Sequence, residues 1–97
     1  MITILEGKVS CERWAKLEES YRTGIHKIPK DLIQTFLVQD LKDQETWRII
    51  SVWRSKAHYE ESTDSSDLFA TCVDIFRGVG VEPTRRKFDI IAKHMHV

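Results

Sequence analysis

Residues 32–40, LIQTFLVQD, and residues 46–54, TWRIISVWR, are two β-rich runs joined by the polar stretch LKDQE at 41–45. Val, Ile, Thr, Phe and Trp dominate both runs, and so short a polar connector between them reads as a hairpin with a four- or five-residue loop. Successive strand side chains point to opposite faces. In the second run Trp47, Ile49 and Trp53 therefore fall on one side, Ile50 and Val52 on the other. In the first, Leu32, Phe36 and Val38 oppose Ile33 and Leu37. A sheet that faces water on one side shows a polar face there, and this hairpin has none.

The remaining elements follow outward from the hairpin. Ile2 to Lys8 is β-branched, carries Gly7 and reads as a first strand. Ser10 offers an N-cap, Glu12 an acid in the first turn, and Cys11, Trp14, Leu17, Tyr21 and Ile25 recur at the spacing of an amphipathic helix. Gly24 and Pro29 end it. After the hairpin, Ser55 caps a second helix from Lys56, interrupted by the small polar run Ser62 to Ser66 and resuming at Asp67, with Leu68, Phe69, Cys72, Val73 and Phe76 inward. Gly78, Gly80 and Pro83 stop it. Arg86 to Val97 is expected as a long last strand, with Phe88, Ile90 and Ala92 opposing Ile91 and Met95.

The order is β-α-β-β-α-β, the split βαβ arrangement of an α+β ferredoxin-like fold. Right-handed crossovers put both helices on one face of a four-stranded antiparallel sheet. Two helices cannot cover both faces, and a bare apolar face would exceed the few hundred Å² a soluble monomer tolerates. A two-fold homodimer packed sheet against sheet is the simplest cover.

The 97 residues form one domain, 1–97. With 15 basic and 15 acidic side chains the formal charge is zero, which excludes the basic footprint that nucleic-acid binding requires. No apolar run exceeds three residues, so neither a membrane span nor a secretory signal is expected, and a cytoplasmic protein is. Charge is nonetheless segregated, acidic between Glu60 and Asp74 and basic between Arg77 and Lys93. Arg85, Arg86 and Lys87 offer an anion-binding run, though a solvated strand explains them as well. Cys11 and Cys72 have neither disulfide-framework nor zinc spacing, and their places on the helical stripes suit buried, reduced thiols. His94 and His96 share a strand face, but two imidazoles fall short of the three or four ligands zinc generally takes. No metal site and no phosphate loop is expected.

The stretch Ile49-Ile50-Ser51-Val52-Trp53-Arg54-Ser55-Lys56-Ala57-His58-Tyr59 resembles the antibiotic biosynthesis monooxygenase family, whose subunits pair as dimeric α/β barrels. The shared features are a strand ending in an aromatic, then Ser and a helix. The resemblance implies a cofactor-independent monooxygenase, or a related enzyme, acting on a small aromatic or quinone-like compound. Haem-degrading relatives carry a ligating His in the second helix and an Asn near the first strand. Here the corresponding run is Phe69 to Val73, without His, and the chain contains no Asn. Many relatives also have an acid two positions before the strand-end aromatic, where this chain has Ser51, and a His where it has Glu61 and Ser62.

A cofactor-free oxygenase must draw electrons from its substrate, since ordinary side chains do no such chemistry. It needs an apolar pocket, a proton acceptor and a group that stabilises the resulting anion. Trp53, Trp47, Trp14 and Tyr59 are the candidate walls, with Tyr21 available besides. His58 is the candidate acceptor, His26 a weaker one, and Arg54 the candidate anion stabiliser. The bulk of the aromatics equally suits them to core and dimer contacts. No cofactor is expected. The alternative reading is a non-catalytic homodimer that binds a small ligand or serves as an interaction module.

Overall fold

The structure, a computed structural model, describes residues 1–26, 32–54 and 63–95, with side chains in the second helix from residue 70 onward. Its strands are β1 (Ile2–Lys8), β2 (Leu32–Gln39), β3 (Thr46–Trp53) and β4 (Thr84–Phe88), and its helices α1 (Trp14–Gly24) and α2 (Thr63–Arg77). The four strands form one sheet in the order β2-β3-β1-β4, with every neighbouring pair antiparallel. This is the ferredoxin-like arrangement the element order implied.

Strand register sorts the side chains into two faces. Leu5 lies opposite Ile49, Thr3 opposite Ser51 and Gly7 opposite Trp47. All six are buried, and with Leu17 of α1 and Cys72, Val73, Ile75 and Phe76 of α2 they form the interior. The other face is built from Ile2, Ile4, Ile50 and Val52 on the two central strands, flanked by Phe36 and Val38 of β2 and Phe88 of β4. Phe36 and Phe88 remain 38% and 45% exposed. The face away from the two described helices is thus apolar over its centre, with Gln34 and Arg86 at its margins. Its polar end is a chain of charges, Arg48 reaching both Glu6 and, at 3.5 Å, Asp40.

Several details differ from the sequence reading. A register shift between Leu32 and Gln34 puts Leu32 on the buried face with Leu37, whereas Phe36 and Val38 face outward. An irregularity that changes the phase of alternation cannot be seen in a period-two pattern. The polar connector is ordered by Asp40, whose Oδ1 accepts the amides of Lys42 at 2.8 Å and Asp43 at 3.0 Å. Ser10 does not cap α1. Cys11–Arg13 form a separate 3-10 turn, and the Ser10 hydroxyl donates to Glu12 at 2.9 Å. The helix begins only at Trp14, so Cys11 falls out of phase with the apolar stripe and is exposed.

The expected helical start at Lys56 lies outside the described residues. The polar run expected as an interruption is helical from Thr63, since small polar residues and acids suit a helix's first turn. Strand β4 is displaced from its expected limits. It begins at Thr84 and ends at Phe88, and Asp89 to Met95 continue beyond the sheet with Ile91 and Met95 88% and 81% exposed. The expected strand face at His94 and His96 is therefore not formed at His94, and His96 lies outside the described residues.

Gly7 lets β1 pass close to Phe76 of α2 and to Val81. A Cβ there would stand 2.7 Å from Val81 Cγ1 and 2.9 Å from Phe76 Cδ1, and Phe76 is fully buried. Overpacking of this kind typically costs about 1–3 kcal/mol. Gly7→Ala is therefore expected to lower stability by about that amount, measured by urea unfolding against wild type.

Candidate functional site

Three inward positions at one level of the sheet are hydroxyl residues. Thr3 of β1 and Thr35 of β2 both pair with Ser51 of β3, so strand register alone aligns them across the sheet. Thr3 and Ser51 are 3% and 4% exposed. Thr35 Oγ1 lies 3.3 Å from Ser51 Oγ, and from α1 the Tyr21 hydroxyl donates to Thr35 Oγ1 at 3.4 Å. The other end of the row meets Trp53, whose indole N–H donates to Thr3 Oγ1 at 3.1 Å. The backbone holds that end from below: Trp53 N donates to Met1 O at 2.8 Å and the Met1 ammonium to Trp53 O at 3.2 Å.

The electrostatics of this row are those of neutral groups. Burial pushes the Tyr21 phenol above its ordinary value against the smaller opposing effect of the Thr35 hydrogen bond, and nearby Cys72 adds to the rise. Cys72 itself is pushed up to about 11 by burial. Both groups keep their protons at neutral pH, so the row donates and accepts hydrogen bonds but offers no anionic base.

The structure separates the candidate residues into two ends. Trp53 is 1% exposed at the end of β3, and Arg54 follows it into a shallow cleft of about 410 Å³ shared with Met1 and Asp89 to Lys93. Trp47 stands six residues earlier in the strand, roughly 20 Å away at about 3.3 Å per residue. It packs against Trp14 with ring centroids 5.9 Å apart and planes inclined at 58°. Trp14 donates its N–H to Val9 O at 2.7 Å, whereas the buried Trp47 Nε1 has no partner among the described residues. Trp14 also lines an open cleft of about 500 Å³ with Cys11, Glu12 and the β2–β3 connector. The three tryptophan walls expected from the sequence are thus not gathered around one described pocket, and His58 and the fourth expected wall, Tyr59, lie outside the described residues. His26 is exposed at the end of α1.

Arg85, Arg86 and Lys87 do not form one anion site, because strand alternation points Arg86 to the open face and its neighbours to the other. Among the described residues no group of His, Cys, Asp and Glu side chains is arranged to hold a metal ion. No described helix is long and apolar enough to cross a membrane.

Sequence reasoning singled out Ser51 only as a departure and passed over Thr3 and Thr35. A signal existed at two of them. Thr3 and Ser51 each interrupt an inward-facing apolar series with a hydroxyl, a costly choice for a buried position. Thr35 was concealed by the bulge in β2.

The ordering of a β-α-β-β-α-β subunit around a strand-end tryptophan is that of a known family. The antibiotic biosynthesis monooxygenase family model matches residues 12–74, well over half of the chain, and the protein belongs to that family. Among solved structures, a candidate antibiotic biosynthesis monooxygenase of Deinococcus radiodurans is 12% identical with 98% of each chain covered and a TM-score of 0.60. One from Chloroflexus aurantiacus is 16% identical, covering 97% of this chain and 95% of its own, with a TM-score of 0.61. A dimeric ferredoxin-like protein from an uncultured marine organism is 11% identical over 99% and 91% of the two chains, with a TM-score of 0.63. At such identities the likeness establishes the fold. No curated protein sequence gives a significant match.

The contrast between the cysteines is directly measurable. Cys11 is exposed and Cys72 is buried with a raised pKa, and the thiolate is the reactive form. A native-state thiol titration at pH 8 is expected to label Cys11 quickly and Cys72 only after denaturant is added. The same raised pKa contributes stability that is complete below about pH 9, the thiol's ordinary value, and is lost as pH rises through about 11.

Proposed function

We propose that the protein is a homodimeric, cofactor-independent monooxygenase acting on a small aromatic or quinone-like compound. The observation that carries this reading is Trp53, buried at the end of β3 with its indole nitrogen tied to Thr3, in a chain of this family. In such a reaction the substrate supplies the electrons. Loss of a phenolic proton gives an electron-rich anion that reacts with dioxygen, one oxygen atom entering the product and the other leaving as water. In this reading Trp53 is the wall at this end and Tyr59 a further wall, His58 accepts the proton, and Arg54, one residue after Trp53, stabilises the anion. At the opposite end of the sheet Trp14 is a wall of the open cleft, with Trp47 packed against it.

Pairing of two copies is supported by the open face. Ile4, Ile50, Val52 and Phe36 stand side by side on it with neither described helix above them, and a dimeric protein of the same fold is among the structural relatives. A two-fold interface is self-complementary, and the opposite charges of Glu6 and Arg48 at its edge suit that. Localisation in the cytoplasm fits two free thiols.

The second reading, a non-catalytic ligand-binding or interaction module, is favoured by one observation. Ser51 stands where many relatives carry an acid, and the row around it is neutral.

Sedimentation at micromolar concentration is expected to show a dimer for wild type and a monomer for Ile50→Glu, which buries a charge at the centre of the face; a monomeric wild type removes the pairing. Oxygen uptake with a hydroquinone is expected to exceed background and to fall at least ~100-fold in His58→Ala, the usual scale of a proton-transfer group. Equal background rates for both proteins, with the ligand still raising the melting temperature, support the second reading.

A further inference from the structure

The hydroxyl row has more donors than it uses. Tyr21, Thr35 and Ser51 carry three hydroxyl protons, and two hydrogen bonds link them. Each bond consumes one proton whichever way the Thr35–Ser51 pair is polarised, so one proton is left to give among the described residues. The bonds are also slack. Their oxygen separations of 3.4 and 3.3 Å exceed the 2.7–2.8 Å usual for hydroxyl pairs. A row of this kind accommodates another oxygen at little cost.

Its surroundings say what that oxygen must belong to. Leu37 and Ile49 pair across the same face one step along the strands, and Cys72 lies near Tyr21. Trp53 closes the row at Thr3. Ser51 is buried, whereas Tyr21 and Thr35 are only half-buried, so among the described residues the row reaches solvent at its Tyr21–Thr35 end. The lining is apolar and aromatic with a single neutral donor. A charged ligand is poorly served there, because burying an ion without a counter-charge is far more costly than burying a carbonyl.

We propose that Tyr21, Thr35 and Ser51 form a donor row that binds the carbonyl or phenolic oxygen of an aromatic ligand, with Thr35 at its centre. The proposal rests on the reading of an aromatic substrate given above, and adds the residues that select for oxygen on its ring. Tyr21 retains its proton well beyond neutral pH because burial disfavours the phenolate. The row therefore acts as a fixed donor and not as a base, and its contribution is flat across neutral pH. Thr35 and Ser51 are positioning residues in this scheme, and proton removal falls to another group.

The test compares 1-tetralone with tetralin, which have the same bicyclic shape and differ by one carbonyl. NMR titration of the wild-type protein is expected to show tighter binding of tetralone, unchanged between pH 6.5 and 8.5 (roughly, a window below any phenol titration). Thr35→Val, which keeps the shape and removes the central hydroxyl, is expected to weaken tetralone roughly 3- to 10-fold and to leave tetralin unchanged. Tyr21→Phe removes the donor that polarises Thr35 and is expected to act in the same direction by a smaller factor. Tetralone binding no tighter than tetralin to wild type, or an equal loss of both ligands in Thr35→Val, overturns the donor row. Selective loss of tetralone in a protein with no oxygen uptake supports the row and removes only the oxygenase.

Discussion

Everything in this subunit is arranged around the unequal cover of one sheet. Two helices lie on the face formed by Leu5, Gly7, Trp47, Ile49 and Trp53, and they supply the contacts that make burial of those side chains favourable, roughly 25 cal/mol for each Å² of apolar surface removed from water. The same strands carry Ile2, Ile4, Ile50 and Val52 on their reverse. A strand cannot be made greasy for one neighbour without its alternate residues being chosen for another, and here those alternates are also apolar. The buried hydroxyl groups and the uncovered apolar surface thereby lie on opposite sides of the sheet.

That division has a consequence for the polar groups. On the covered face, hydroxyls at Thr3, Ser51 and Thr35 are aligned by register and closed by Trp53 and Tyr21. They supply neutral hydrogen-bonding capacity where a charge would be costly to bury. On the open face Glu6, Arg48 and Asp40 pair among themselves at one end, and Arg86 stands on the edge strand beside Ile4. Burial acts on both Tyr21 and Cys72 in the same sense, holding their protons in place. The row and the buried thiol therefore contribute neutral hydrogen-bonding groups and no anionic base at neutral pH.

The separation of the tryptophans bears on how such a subunit handles a ligand. Trp14 and Trp47 make a tilted ring contact at the beginning of β3, while Trp53 closes its end. The length of one strand lies between them, too far for both to touch one small ring. The Trp53 end carries the polar row and leads into Arg54, so it is the end with the means to orient an oxygen. The Trp14 end, beside the ordered connector held by Asp40 and Asp43, is better described as a packing corner with an adjoining cleft.

The element order, the inward placing of Trp47, Ile49 and Trp53, and the apolar character of both sheet faces were all readable in the chain, because each depends on spacing between near neighbours. The hydroxyl row was not. Thr3, Thr35 and Ser51 are far apart in sequence and meet only through the register of three strands, which the bulge after Leu32 further shifts. The exposure of Cys11 and the early end of β4 were decided in the same way, by where a helix begins and where a partner strand runs out. Local periodicity determines which face a residue prefers; only the packed fold determines which residues from distant strands stand next to one another.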